Sequence, residues 1–185
     1  HLEKYGVTDI IVAAGYKSQE FHRHFASHRH VRVVDSGDVD IIKRLSCCAP
    51  FIQEDFLVLY GDTLSDVDLG ALITFHRARG ERVTVTAWPL RTQFGLMDLN
   101  AEGKVISFQE KPQLDKWINI GHFYFAHELL EQLENFQRFE DFLCYLVEVA
   151  QINAYRHTGV HITINTRKEL EEAEDNIGQI WDRLG

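Results

Sequence analysis

The sequence predicts an α/β fold in which helices cover a mixed, mostly parallel sheet. Three observations indicate this class. Short apolar runs rich in β-branched residues alternate with segments of helical periodicity as far as Gly80. The connections between them are a few residues long, as in parallel sheets covered by helices. After Gly80, strand-like segments follow one another directly, which predicts an antiparallel extension.

In the first half, strands and helices are predicted in strict alternation. The strands have short apolar runs that stop at polar or glycine residues, and they fall at 8–15, 31–34 and 55–62. The helices have apolar residues at helical spacing, and they fall at 17–28, 38–48 and 68–80. Gly80 is placed to end the third helix in a left-handed conformation.

In the second half, four consecutive strands precede two helices, a short strand pair and a closing helix. The strands are predicted at 82–90, 94–99, 103–112 and 118–125. The later elements are helices at 127–136 and 139–151, the strand pair within 154–164, and a helix at 166–184. Thr166 and Glu169 have capping-box spacing, which predicts where the last helix begins.

Length and composition indicate one globular domain spanning residues 1–185. A chain of 185 residues with 45% hydrophobic content can bury roughly 70% of its unfolded surface around a single core. The net charge of -9 argues against a nucleic-acid partner. No apolar run has the length of a membrane span, and the N-terminus lacks the features of a signal peptide, so we expect a soluble, cytoplasmic protein.

The cysteines and the histidine-rich segment do not predict a metal or disulfide site. Three cysteines, two of them adjacent, form neither a disulfide framework nor zinc spacing, so we expect reduced, half-buried thiols. Four histidines are dense between residues 22 and 30, and His24 and His28 have the helical spacing of metal ligands. No acidic or cysteine ligand accompanies them in a fixed pattern, which favours a surface face.

Asp62 follows Gly61 at the end of a strand with a buried pattern, "DFLVLYGD". Ligands of open α/β sheets bind beyond the carboxyl ends of the strands, so Asp62 is expected at the rim of a cleft. Gly61 would let a ligand approach the backbone closely. A carboxylate there suits Mg²⁺, although Asp62 could equally cap its own turn. Gly15 and Lys17 follow the first strand, where they either line a nucleotide site or end the strand and begin a solvated helix.

Three further polar residues have side chains suited to a phosphorylated sugar. Glu110 accepts hydrogen bonds, Asn119 both accepts and donates, and Lys111 is a point charge suited to phosphate. Each also has an ordinary structural interpretation. Glu110 and Lys111 could form a solvated surface pair, and Asn119 could start a turn that ends at Gly121.

Taken in order, these segments resemble the sugar-phosphate nucleotidyltransferases, most closely the glucose-1-phosphate cytidylyltransferase branch. The resemblance extends from His1 to about Glu174. The residues that carry it are "AGYKSQEF", "VRVVDSGD", "IKRL", "YGDTLSDVDL", "FHRARG", "FGLMDL", "VISFQEKP", "INIGHFYF" and "HTGVHITINTRKELEEAE". The family implies a Rossmann-like three-layer α/β/α fold. It also implies transfer of a nucleoside monophosphate from a nucleoside triphosphate to a sugar 1-phosphate, with release of pyrophosphate, in nucleotide-sugar and polysaccharide biosynthesis.

The resemblance also implies roles for individual residues. Asp62 would be the magnesium carboxylate, Lys111 would hold the sugar phosphate, and Gly95 would offer its backbone to the sugar. Glu110 and Asn119 would bind sugar hydroxyls beside Gly121. Gly15, Lys17 and Gly61 would lie at the nucleotide end of the cleft. The second metal ligand of the family, commonly Asp, corresponds to Asn165 here, which keeps a carbonyl oxygen but lacks the negative charge.

The glycine-rich Gly-Gly-x-Gly-Thr-Arg loop and the Pro-Lys-Pro segment of the family are absent from this sequence. We therefore expect a domain that lacks its first strand and its triphosphate-binding loop, which together amount to roughly 30 residues or one supersecondary unit. Such a chain could be inactive as it stands, and its unpaired strand edges would favour homo-oligomers. A non-catalytic sugar-phosphate or nucleotide-sugar sensor is the first alternative. Transfer of another base or to another sugar, of the mannose-1-phosphate guanylyltransferase or glucose-1-phosphate thymidylyltransferase type, is the second.

Overall fold

A computed structural model describes residues 2–184, with the side chains of 176 and 179–184 outside the description. Ten strands are described: β1 (Ile10–Ala14), β2 (Val31–Asp35), β3 (Phe56–Leu59), β4 (Thr63–Ser65), β5 (Val83–Arg91), β6 (Leu96–Leu99), β7 (Val105–Gln109), β8 (Gln113–Phe125), β9 (Ile152–Arg156) and β10 (His161–Thr163). The α-helices are α1 (Ser18–Phe25), α2 (Ile41–Cys48), α3 (Leu69–Arg79), α4 (Phe139–Glu148) and α5 (Arg167–Leu184). Short 3₁₀ helices span Leu2–Tyr5, Ala49–Phe51 and His127–Asn135.

The predicted alternation of strand and helix in the first half is confirmed. β1 and β2 pair in parallel, with Ile10 opposite Val31. Helix α2 begins where the Asp40 side chain accepts a hydrogen bond from the Ile42 amide at 2.9 Å. Gly80 ends α3 with φ 80°, and its amide donates to the His76 carbonyl.

The main sheet has four strands in the order β3–β8–β5–β9. β8 runs antiparallel to both β3 and β5, whereas β9 is parallel to β5. The mixed α/β class is therefore confirmed. Fewer of the strand pairs are parallel than the sequence pattern predicts. Within residues 2–184, the parallel strand pairs are β1–β2 and β5–β9 alone. The reason is that β8 lies between β3 and β5 and runs against both.

Aromatic residues of β8 and α4 dominate the core beneath this sheet. Four fully buried rings pack against one another: Phe123, Phe125, Phe139 and Phe142. Each buried ring contributes about 1.5–3 kcal/mol relative to an exposed one. The buried side chains of residues 118–125 thus fix β8 in the core, and Asn119 and Gly121 of the candidate site lie on the same strand.

Two predictions in the second half need correction. The strands near residues 154–164 do not pair with each other: β9 pairs with β5, and β10 pairs with β4. Residues 127–135 form a 3₁₀ helix, in place of the α-helix that we expect from the sequence alone. The capping box is confirmed, since the Glu169 amide donates to Thr166 Oγ1 and Glu169 Oε2 accepts from the Thr166 amide.

The thiols also differ from expectation. All three cysteines are free, as expected, but Cys47 and Cys144 are exposed and Cys48 is buried. Burial raises the pKa of Cys48 to about 11, so this thiol stays protonated and unreactive. The histidines from His22 to His30 are exposed, and His24 stacks on His28. No group of three metal-ligating side chains, and no helix suited to crossing a bilayer, occurs among the described residues.

Candidate active site

Asp62 and Asn165 are brought together by a short antiparallel ladder. β4 and β10 pair with Thr63 opposite Thr163, directly beyond Asp62 and directly before Ile164. The Ile164 amide then donates to the Asp62 carbonyl at 2.8 Å. The backbones of Asp62 and Asn165 are therefore on neighbouring strands, although 103 positions separate them in the chain.

The surroundings of these two residues fit a hard cation. Asp62 and Asn165 are exposed, and Thr63 Oγ1 donates a hydrogen bond to Asp62 Oδ1 at 3.3 Å. A β-carbon at Gly61 would meet no protein atom within 4 Å, so the space beside the glycine is open to a ligand. A carboxylate and an amide carbonyl supply oxygen atoms, which Mg²⁺ prefers, and phosphates and water can complete its octahedron.

Asn119 and Gly121 lie on β8, where Tyr60 at the end of β3 contacts both. Gly121 has φ 73°, and a β-carbon there would overlap the Tyr60 ring. The Tyr60 amide donates to the Gly121 carbonyl at 2.8 Å. Asn119 Oδ1 accepts from the Gly121 amide at 2.8 Å, which is the turn-type bond that the ordinary interpretation of Asn119 predicts.

Tyr60 links Asn119 to the end of the strand that carries Asp62. Burial raises the pKa of the Tyr60 phenol, while a hydrogen bond with Asn119 lowers it; the Asp62 carboxylate adds to the rise. The Asn119 side chain is thus already held by the protein on two sides. Its exposed surface leaves a second lone pair on Oδ1 for a hydroxyl group.

Gly95 and Glu110 form a second group at the open end of the β6–β7 hairpin. A β-carbon at Gly95 would lie 2.7 Å from Phe108 Cζ and 3.0 Å from Glu110 Oε2. Glycine is therefore required here because the Phe108 ring and the Glu110 carboxylate occupy the side-chain position. Lys111 follows with an exposed side chain and φ 45°, a conformation in which non-glycine residues are strained.

The structure places these two groups at different points along β8. Asn119 lies opposite Ala87 of β5, and Gln113 lies opposite Arg91. Glu110 and Lys111 lie in the loop that directly precedes Gln113, the first residue of β8.

Gly15 and Lys17 lie together at the carboxyl end of β1, as predicted. A β-carbon at Gly15 would overlap the Gly37 carbonyl oxygen and come 2.7 Å from Arg44 Nη1. Lys17 has φ 57° and precedes α1, with its ammonium 5.3 Å from the centre of the Tyr16 ring. The chain that follows β2 leaves no room for a side chain at position 15, so packing alone explains why this residue is glycine.

Buried histidines lie behind the ladder that joins Asp62 to Asn165. His122 Nδ1 lies 3.0 Å from the Ile120 carbonyl and must donate to it, so its Nε2 accepts from Ser65 at 2.9 Å. Burial lowers the pKa of His122, and the neighbouring His161 and His157 lower it further. Burial also lowers the pKa of His161. These rings are therefore neutral at pH 7.

Sequence analysis missed Tyr60, Phe108 and the contact between Asp66 and His157. Tyr60 and Phe108 matter because each occupies the side-chain space of a predicted glycine. Tyr60 gave no separate signal in the sequence, because aromatic residues are common in strands. Phe108 and the pair Asp66–His157 depend on contacts between distant segments, which periodicity does not report.

A family model described as nucleotidyl transferase matches residues 1–181. The chain is 30% identical to the glucose-1-phosphate cytidylyltransferase of Salmonella typhimurium, covering 97% of this chain and 80% of that protein. It is 24% identical to the UTP-glucose-1-phosphate uridylyltransferase of Synechocystis, covering 75% of this chain and 42% of that protein.

A solved structure is similar in fold. HddC from Yersinia pseudotuberculosis, complexed with GMP-PN, superposes with a TM-score of 0.70 at 18% identity. The superposition covers 95% of this chain and 81% of HddC.

Proposed function

Since this chain belongs to the nucleotidyl transferase family, we propose that it transfers a nucleoside monophosphate from a nucleoside triphosphate to a sugar 1-phosphate. We propose CTP and glucose 1-phosphate as the preferred pair, because the Salmonella typhimurium relative at 30% identity carries that name. The observation that most supports a working site is the bond from the Ile164 amide to the Asp62 carbonyl. It brings the backbone of Asn165 next to that of Asp62, which supports the proposal of a shared metal site.

The reaction needs the close approach of two anions. An oxygen of the sugar phosphate attacks the α-phosphorus and forms a new P–O bond. The bond from the α-phosphorus to the oxygen bridging it to the β-phosphate breaks, and pyrophosphate leaves with that electron pair. Charge repulsion and positioning are the principal obstacles, since no covalent nucleophile is needed.

Residues in different parts of the site would reduce the charge repulsion and position the substrates. Lys111 would bind the phosphate of the sugar and offset its charge. Glu110 and Asn119 would orient sugar hydroxyls, with Asn119 held in place by Gly121 and Tyr60. Asp62 and Asn165 would hold Mg²⁺, which when bound would neutralise charge on the α-phosphate. Gly95 and Gly121 would present backbone to the sugar, and Gly15, Lys17 and Gly61 would face the nucleotide.

The base and the sugar are the least constrained parts of this proposal. A relative named for UTP shares the sugar of the relative named for CTP, so membership of the family does not fix the base. Another base or sugar is therefore one alternative. A sugar-phosphate sensor is a second alternative, in which Lys111 would bind the phosphate without turnover.

Pyrophosphate release tests the proposal. The protein is incubated with Mg²⁺, glucose 1-phosphate and CTP, UTP, dTTP or GTP in turn. We expect release to be fastest with CTP and to fall at least about 100-fold in Asp62→Asn, because a metal carboxylate is lost. Asp98→Asn, an exposed carboxylate on β6, is the matched control and should retain activity. Tight binding of glucose 1-phosphate by calorimetry without turnover of any nucleotide would establish the sensor instead.

A further inference from the structure

The ladder between β4 and β10 is short, although it determines where Asn165 lies relative to Asp62. It has three residue pairs, and within the described residues it forms a two-stranded sheet of its own. Because a two-stranded ladder of this length is marginally stable alone, other contacts have to fix its register. A slip of one residue would turn every side chain to the opposite face.

Asp66 directly follows β4 and holds the loop that leads into β10. Its Oδ1 accepts from the Val160 amide at 2.5 Å and lies 3.0 Å from His157 Nε2. The Asp66 amide in turn donates to the Val160 carbonyl at 3.4 Å. The Asp66 side chain is 13% exposed and that of His157 is 10% exposed, so water competes little for these bonds.

The other end of this loop is attached to the main sheet. The His157 amide donates to the Ala87 carbonyl of β5 at 2.9 Å, and Trp88 Nε1 donates to the Gly159 carbonyl at 3.0 Å. A β-carbon at Gly159 would overlap Asp66 Oδ1 and approach His157 Cε1 to 2.7 Å. Glycine at 159 is therefore what allows the Asp66 carboxylate to reach both partners.

We propose that Asp66 and His157 are positioning residues that fix the register of β10 on β4 and so hold Asn165 beside Asp62. Asp66 joins the start of β10 to the end of β4, and His157 fixes that junction to β5. The last paired position, Ile164, then falls opposite Asp62. The part of this inference that concerns a cation rests on the proposed function; the part that concerns register does not.

Hydrogen exchange tests the register directly. The amide of Ile164 is followed by NMR in the intact protein, in Asp66→Ala and in Gly159→Ala. The second variant keeps both partners but places a methyl group between them. Exchange at Ile164 should accelerate at least about tenfold in both variants, while the Phe123 amide in the main sheet is unchanged. Asp68→Ala is the matched control, since Asp68 lies two residues after Asp66 and its side chain also accepts a backbone amide, that of Ala71, outside the ladder.

Binding of Mn²⁺, measured by the loss of its free EPR signal, tests the consequence for Asn165 and Asp62. Substitution of a residue that holds a metal ligand in place typically weakens metal binding by about 10–100-fold. We therefore expect Mn²⁺ binding to weaken about tenfold or more in Asp66→Ala. Asp66→Asn keeps an oxygen that can accept from Val160 and should recover most of the affinity. Asp62→Asn is the reference for a lost ligand.

The outcomes separate the two ideas. Unchanged exchange at Ile164 in both Asp66→Ala and Gly159→Ala would overturn the positioning role. Unchanged Mn²⁺ affinity in Asp66→Ala, with affinity lost in Asp62→Asn, would overturn the coupling between register and metal. If Asp62→Asn binds Mn²⁺ as well as the unsubstituted protein does, the proposed metal ligand fails, and the exchange data still decide the register.

Discussion

The ring of Tyr60 packs so closely against Gly121 that no β-carbon would fit between them. Gly121 also has φ 73°, which is costly for residues that carry a side chain. The close contact and the positive φ both occur at this position of β8, two residues after Asn119. The contact therefore determines how the end of β3 meets the part of β8 that we propose binds the sugar.

Replacing Gly121 with alanine should destabilise the protein. The strained backbone alone costs about 1–3 kcal/mol of unfolding free energy, and displacement of Tyr60 adds to it. Gly61→Ala is the control, because a β-carbon there meets open space without a positive φ; we expect a change within about 0.5 kcal/mol. Chemical denaturation measures both. Equal stability of the two variants would show that Tyr60 moves aside at no cost.

Asn165→Asp should tighten the binding of divalent cations. The substitution adds a negative charge to a ladder end where Asp62 supplies the other oxygen, and carboxylates bind hard cations better than amides do. We expect the Mn²⁺ dissociation constant to fall severalfold and that of Asn165→Ala to rise. An Asn165→Asp protein with unaltered affinity would remove residue 165 from the site.

Lys111→Gly should separate binding from folding. Glycine tolerates the φ of 45° at this position, so the unfolding free energy should not fall. The loss of the ammonium should raise KM for the sugar 1-phosphate about tenfold, because hydrogen bonds to charged groups contribute about 1.5–3 kcal/mol. Lys104→Gly, on the far side of the β6–β7 hairpin, is the matched control. Similar KM values in both variants would assign the sugar phosphate to another residue.

The stability of the protein should fall as the pH is lowered from 7.5 to 5.5. Burial lowers the pKa values of His76, His122 and His161 in the folded state below their usual value of 6.5. The unfolded chain therefore binds more protons in this range, and unfolding is favoured below about pH 6.5 and increasingly down to the folded-state pKa values. The unfolding free energy, measured by urea denaturation at each pH, tests this.

A substitution identifies which histidine is responsible. His122→Gln should flatten the dependence of unfolding free energy on pH, because one group with a lowered pKa is removed. His30→Gln, at an exposed position, should leave the slope unchanged. Parallel pH profiles for the two variants would rule out His122 as a source of the pH dependence.

Local signals explain why much of the fold follows from the sequence. Asp40 caps α2 and Gly80 ends α3 because the interactions involved lie within one turn of the helix. The strand β4 was not predicted: its three residues carry too short a pattern, and its partner lies about a hundred positions later. The register that brings Asn165 to Asp62 is non-local for the same reason.

The candidate site likewise has features that local sequence signals predict and features that depend on contacts between distant segments. The proximity of Gly95 to Glu110 depends on a hairpin that its turn residues predict. The register of Asn119 and Gln113 on β5 does not, because the pairing of β5 with β8 is irregular between Val85 and Ala87 and again between Pro89 and Arg91.

The capping of α5 has an electrostatic consequence for Asn165. The helix begins two residues later, and helix N-termini carry a partial positive charge of about half an elementary charge, which repels cations. Glu169 accepts the amides of both Asn165 and Thr166 at 2.8 Å and sets a carboxylate across this end. Because the carboxylate carries a full negative charge and the helix end only about half a positive one, the net charge beside Asn165 is negative. The cap of α5 therefore replaces a local repulsion of cations at this end of the ladder with a local attraction.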